Sequence, residues 1–174
     1  MFGGSFDPPH VAHQMAMLYA LATARLDGLL MVPCFRHPFD KRLQPFEHRL
    51  EMARLAAAPL DGVEVSDVER RLGGESLTLR TVRALSDERP GARIVLVIGA
   101  DLLVERERWF GFDELRALVD FFPVGRAGHA GAQAVALPDV SSTEIRARLG
   151  RGEPVEGLVP SAVADYIASH RLYR

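Results

Sequence analysis

Strand-like and helix-like stretches alternate along this 174-residue chain. The alternation predicts an α/β fold: a doubly wound, mostly parallel sheet with helices on both faces. Residues 93–99 (RIVLVIG) form an unbroken β-branched run, the pattern of a strand covered on both sides. Residues 29–33 (LLMVP) form a second apolar run of strand length, closed by a proline. The stretch at 10–26 is rich in Ala, Met and Leu and predicts a helix leading into it. Sheets of this kind bind ligands beyond the carboxyl ends of their strands, where the strand order reverses.

The elements follow in order. The chain opens on MFGGSFDPPHVAH, a glycine-rich turn running straight into two histidines three apart. An apolar strand is expected before such a turn, and only Met1 and Phe2 stand there. The first strand therefore reads as truncated, by a start assigned too late or by a shortened chain. Helix 10–26 and strand 29–33 come next. Residues 34–44, rich in Pro, Phe and charge, read as a loop. Pro45 suits the first turn of a helix reaching about Ala58. Val63–Val65 predicts a short strand, 76–87 a helix, and 93–99 the central strand. Short helices are expected at 101–107 and 113–119, and the last strands at 121–124 and 134–137. Between those strands, GRAGHAGAQ (125–133) is the segment best suited to be mobile. Helices at 142–149 and 161–169 close the chain. Its length suits a single domain over 1–174, with a small helical segment from about 142.

Bulk composition narrows the function classes. An apolar fraction of 48% and a charged fraction of 25% are ordinary for a globular protein. A net charge of −2 argues against a broad surface for nucleic acid or anionic membrane. The lone Cys34 rules out an intrachain disulfide and suits a reducing, cytoplasmic setting. The sequence has no run of 18 apolar residues and no signal-peptide pattern, so no membrane partner is expected. The basic residues are 20 Arg and one Lys, Lys41. A compact ammonium point charge is thus kept at one place only.

Three segments follow strands and gather at one edge of such a sheet: the opening turn, IGAD (98–101) and VSSTEIR (140–146). Gly3 and Gly4 lack a Cβ and let the backbone approach a ligand. The start of the next helix offers N–H groups to an anion. His10 and His13, spaced i, i+3, share one face of it. A phosphate placed there meets amides and two imidazoles together. A metal site is not expected, because the pair has no third ligand in view. In VSSTEIR, Ser141 and Glu144 fit a capping box, which by itself only starts a helix. Ser142 and Thr143 add hydroxyls at that start, and Arg146 adds a bidentate phosphate partner one turn on. Two helix starts aimed at one crevice make a polyphosphate site.

Taken together, GGSFDPPH-x-x-H and SSTEIR resemble the nucleotidylyltransferase superfamily. Within it the chain is most similar to bacterial nicotinate-nucleotide adenylyltransferases, over essentially its whole length. LVPSAVADYIASHRLYR is similar to the ending of that family. The resemblance implies a Rossmann-like fold. It also implies transfer of AMP from ATP to nicotinate mononucleotide, giving nicotinate adenine dinucleotide and pyrophosphate, with Mg²⁺ accompanying ATP. ATP and nicotinate mononucleotide are then the partners, and self-association stays open.

The same resemblance implies roles for individual residues. His10 and His13 act in catalysis and contact the ATP phosphates, while Gly4 and Ser5 lie in the nucleotide loop. Ser142, Thr143 and Arg146 form the second phosphate-binding segment. Asp101 contacts ribose and serves both substrates. On the mononucleotide side, Trp109 stacks on the pyridine ring and Thr78 helps hold the nicotinate carboxylate. Lys41 binds the mononucleotide phosphate, and Arg126 matches an arginine at the start of the loop after a strand.

Taken singly, several of these residues have plainer explanations. Trp109 suits core packing, Asp101 a helix N-cap, and Lys41 a solvated loop. The chain also departs from the family pattern. Ala12 stands where Gly is usual, Cys34 where Asn is common, and Leu77 where Tyr is common. HPFDK (37–41) replaces a Pro-Pro-His-Lys arrangement. Two alternatives therefore stay open: the same adenylyl transfer to nicotinamide mononucleotide or another phosphorylated acceptor, and a non-catalytic nucleotide-binding paralogue.

Overall fold

The computed structural model of the chain describes residues 1–37, 42–100, 109–126 and 136–174. Its strands are β1 (Phe2–Gly4), β2 (Leu29–Pro33), β3 (Val63–Val65), β4 (Ile94–Gly99), β5 (Val119–Arg126) and β6 (Ala136–Leu137). They lie in the order β3-β2-β1-β4-β5-β6, and every pairing is parallel. The order reverses between β1 and β4, which puts the binding crevice beyond Gly4 and Gly99. The described helices are α1 (Val11–Thr23), α2 (Phe46–Ala57), α3 (Val68–Leu72), α4 (Thr78–Glu88), α5 (Phe112–Leu118), α6 (Ser142–Gly150) and α7 (Ser161–Ser169).

The central place of the sheet, which looked nearly empty in the sequence, is held by β1. Phe2 pairs with Met31 on one side and Val97 on the other. The Val97 N–H donates to the Met1 carbonyl at 2.9 Å, and the Met1 amino group donates to the Val95 carbonyl at 2.7 Å. Three residues are enough to carry the ladder across the middle.

Period-two alternation then divides the strands between two apolar layers. Met31 and Val97 join Met17 and Ala20 of α1 and Ala53 and Ala57 of α2. Val32 and Leu96 join Leu79 and Val82 of α4 and Leu115 of α5. α2 buries a second stripe as well: Met52 and Ala56 pack with Ile145, Val163, Ile167 and Leu172. Each large apolar side chain so buried contributes about 1.5–3 kcal/mol.

Some boundaries differ from expectation, for local reasons. α1 stops at Thr23 rather than 26, where Arg25 takes a positive φ of 49° that no helix continues. α3, five residues long, was not expected, because so short a helix leaves no periodicity to read. β5 runs on both sides of the expected 121–124 and passes through Pro123. β6 pairs with Gly125 and Arg126, so among the described residues that edge of β5 has no partner at the proline. Gly125 and Arg126 thus belong to a strand rather than a mobile loop. The expected helix at 101–107 and residues 127–133 of the expected mobile loop lie outside the described residues.

Gly111 joins the second apolar layer together. It caps the start of α5 at a φ of 65°, and a Cβ there would lie 2.5 Å from Leu79 Cδ2. Gly111→Ala is therefore expected to lose about 2–3 kcal/mol, from left-handed backbone strain plus the displaced leucine. Urea unfolding of the two proteins checks this; a loss below about 0.5 kcal/mol would contradict so close a contact.

Candidate active site

The opening turn owes its shape to two aromatic contacts and a glycine. Gly4 ends β1, and a Cβ on it would lie 3.0 Å from the Phe6 ring. Phe6 folds back at a φ of 48° and is 2% exposed. Its ring meets the edges of Phe2 at 5.6 Å and His13 at 5.0 Å. The missing Cβ of Gly4 thus makes room for Phe6, a need internal to the fold.

His10 is not inside α1, as its helical spacing suggested, but is the N-cap just before it, with extended backbone. Its N–H donates to His13 Nδ1 at 3.1 Å, and its carbonyl accepts the His13 N–H at 2.9 Å. The two rings stack with centroids 3.6 Å apart. A backbone N–H can only donate, so His13 Nδ1 is the unprotonated nitrogen. The neutral imidazole then carries its proton on Nε2, as a donor. The amide supply at this helix start is smaller than expected: the Val11 N–H is taken by the Leu158 carbonyl at 3.0 Å, and the His13 N–H by His10. Ala12, where the family pattern has Gly, is buried in the helix.

The start of α6 is tied directly to this turn. Ser141 caps the helix by accepting the Glu144 N–H at 3.2 Å. The Ser142 hydroxyl donates to the Pro8 carbonyl at 2.9 Å. Arg146 Nη1 donates to the Asp7 carbonyl at 2.8 Å, and Nη2 to Thr143 Oγ1 at 3.3 Å. The structure therefore brings Gly4, Ser5, His10, His13, Ser142, Thr143 and Arg146 into one neighbourhood.

Three residues that were not singled out in the sequence hold the neighbourhood in place. Arg49 of α2 is 2% exposed. Its Nε donates to the Gln44 carbonyl at 2.9 Å. Nη1 donates to the carbonyls of Ser5 at 2.9 Å and Cys34 at 2.6 Å, and Nη2 to that of Phe35 at 3.2 Å. Burial pushes the guanidinium pKa down, while the Asp7 and Glu69 carboxylates pull it back up. Asp7 is 1% exposed and accepts the Tyr173 hydroxyl at 2.6 Å and the Gln44 N–H at 3.3 Å. Burial, and then the Asp7 carboxylate, push the Tyr173 phenol upward, so it stays a donor. One sequence signal pointed to Arg49: it sits on the apolar stripe of α2, with Phe46, Leu50, Ala53 and Ala57.

The loop after β2 is fixed from the other side. The Phe35 N–H donates to Glu69 Oε2 at 3.0 Å and Ser76 Oγ at 2.9 Å, and the Arg36 N–H to Ser76 Oγ at 3.1 Å. Thr81 Oγ1 donates to Glu69 Oε1 at 2.9 Å. The unexpected α3 is what delivers Glu69. Thr78 is the first residue of α4, half-buried, on a helix whose N-cap Leu77 gives no side-chain bond. Trp109 is half-buried and packs beside the cluster containing Leu79, with Phe112 across it at 6.5 Å. Lys41 and Asp101 lie outside the described residues, and Arg126 is the last residue of β5. Among the described residues no three His, Cys, Asp or Glu stand close enough to hold a metal ion.

Comparison with known proteins shows the family. Residues 1–148 match the cytidylyltransferase-like family. A "Probable nicotinate-nucleotide adenylyltransferase" of Anaeromyxobacter dehalogenans (strain 2CP-C) is 51% identical over 178 positions, covering 100% of this chain and 95% of that protein. One of the same name from Myxococcus xanthus (strain DK1622) is 36% identical, covering 99% and 93%. The fold is also that of the Plasmodium falciparum nicotinic acid mononucleotide adenylyltransferase complexed with NaAD. The TM-score is 0.84 at 21% identity, over 99% of this chain and 95% of that one. The chain belongs to the cytidylyltransferase-like family and, within it, to the nicotinate-nucleotide adenylyltransferases.

Proposed function

We propose that this chain transfers AMP from ATP to nicotinate mononucleotide, giving nicotinate adenine dinucleotide and pyrophosphate. The observation that carries the proposal is the tie between the α6 start and the histidine turn, through Ser142 to Pro8 and Arg146 to Asp7. Two helix starts and two stacked imidazoles then surround one crevice, a setting suited to a polyphosphate.

The chemistry needs no side-chain nucleophile. A phosphate oxygen of the mononucleotide attacks the α-phosphorus of ATP, and the bond from that phosphorus to the oxygen bridging to the β-phosphate breaks. The protein must align two polyanions and neutralise the charge that develops. His13 donates through Nε2–H to a phosphate oxygen as that charge builds, and His10 stacks beside it. Ser142, Thr143 and Arg146 hold the triphosphate opposite, with Gly4 and Ser5 lining the nucleotide loop. Mg²⁺ arrives on ATP as part of that substrate, with the phosphates supplying most of its ligands.

On the acceptor side, the start of α4 favours an acid over an amide. Its first turn holds no acidic residue and its N-cap makes no side-chain bond. Uncapped amides at the positive end of a helix dipole suit a carboxylate. Thr78 stands at that start, and Trp109 offers a ring beside the Leu79 layer for the pyridine. Asp101 is assigned to ribose, and Lys41 and Arg126 to the mononucleotide side. Among the described residues no helix is long and apolar enough to cross a membrane, and we place the enzyme in the cytoplasm.

His13→Ala is expected to lower kcat by roughly 10²–10³, the range for removal of one transition-state donor. Steady-state kinetics with ATP and nicotinate mononucleotide check this, and near-normal turnover would refute the role. Trp109→Ala is expected to raise KM for the mononucleotide more than for ATP. If both KM values stay unchanged, the ring stacks on nothing in the reaction.

A further inference from the structure

Tyr173 lies beyond α7, far along the chain from the histidine turn, yet it reaches the turn. Its hydroxyl donates to Asp7 Oδ1 at 2.6 Å across 166 positions of sequence. The segment is held firmly enough for that contact to be set by the fold. Leu172 is 7% exposed in the cluster with Ile145, Val163 and Ile167, and its N–H donates to the Ile167 carbonyl at 3.1 Å. Arg171 and Tyr173 both sit at positive φ, 52° and 65°. Non-glycine residues keep such a conformation only where the surroundings over-determine it.

Asp7 is the residue through which this contact acts. Its carboxylate takes the Tyr173 hydroxyl, while its own carbonyl takes Arg146 and the next carbonyl, of Pro8, takes Ser142. The other donor to the carboxylate, the Gln44 N–H, stands farther off at 3.3 Å and 3.4 Å. Removing the phenol hydroxyl leaves a carboxylate that is 1% exposed short of its shortest bond. Such a group must relax toward another donor. Any relaxation of Asp7 shifts the two carbonyls that locate the α6 start.

We infer that Tyr173 is a positioning residue of the phosphate site: by holding Asp7 it sets where Arg146 and Ser142 stand relative to His10 and His13. This rests on the assignment of that crevice to ATP. Tyr173 acts through Asp7, whose carbonyl and that of Pro8 hold the α6 start, so its effect falls on the triphosphate side. The loop after β2 shares Arg49 with the opening turn, but Glu69 and Ser76 anchor it as well and keep it in place.

The experiment compares wild type, Tyr173→Phe, Arg146→Ala and the double variant. Calorimetric titration with MgATP is run beside steady-state kinetics and thermal unfolding. Tyr173→Phe is expected to weaken MgATP binding several-fold, up to about tenfold, below the full loss of a hydrogen bond to a charged acceptor because the bond reaches ATP only through Asp7. KM for ATP rises likewise, while KM for nicotinate mononucleotide stays within about twofold. In the Arg146→Ala background the same substitution has little further effect, because the two residues act in one chain of contacts. Unchanged MgATP binding in Tyr173→Phe overturns the inference. So does an equal rise of both KM values with a lowered Tm, or full additivity with Arg146→Ala. If wild type binds MgATP but turns over no acceptor, the functional proposal falls, and the titration still decides the role of Tyr173. If wild type binds no MgATP, both fall.

Discussion

The constraint on which the site depends is the need to satisfy backbone carbonyls that turn inward where β1 and β2 end. The carbonyls of Ser5, Cys34, Phe35 and Gln44 have left the sheet ladder, and each accepts from Arg49. Few side chains can serve four acceptors at once: the guanidinium has five donors in a rigid plane. Burying a cation costs several kcal/mol unless its donors are paired and opposite charge is near. Four carbonyl dipoles and the buried Asp7 carboxylate supply both. The consequence is mechanical. One cation ties the opening turn, through Ser5, to the loop after β2, through Cys34 and Phe35.

The molecule divides its stabilising work by region. Within the sheet the contacts are apolar, from Met17 and Met31 on one face to Val82 and Leu115 on the other. At the carboxyl ends of the strands they are polar and directional. Asp7 takes the Tyr173 hydroxyl and the Gln44 N–H, and Glu69 and Ser76 both take the Phe35 N–H. Polar networks of this kind specify one geometry when every member is satisfied. Adenylyl transfer between two anions needs positional accuracy more than a reactive group, and this scaffold supplies it. His13 shows how: the His10 backbone N–H bonds its Nδ1, which leaves the proton of the neutral ring on Nε2.

The parts legible in the sequence were those governed by local pattern. The β-branched run at 93–99 became β4, LLMVP became β2, and SSTEIR opened α6 under its Ser141 cap. The doubly wound order followed from the alternation of elements. The less legible parts are set by distant partners. Arg49 meets Ser5 across 44 positions, and Tyr173 meets Asp7 across 166, separations that no periodicity reports. The packing of Phe6 against Gly4 cannot be read from the string GGSF. α3 was too short to show a period, and it carries the one carboxylate that holds Phe35. An arginine on the apolar stripe of α2 was the available hint.

The proposed reaction in this crevice is transfer of AMP from ATP to nicotinate mononucleotide. Its most direct test is pyrophosphate release from ATP with nicotinate mononucleotide and nicotinamide mononucleotide in competition, each also offered alone. Release is expected to require an acceptor and to favour the acid, because the α4 start has an uncapped end and no acidic residue in its own first turn. Equal or greater use of the amide, or binding of ATP with no release for either acceptor, would contradict it.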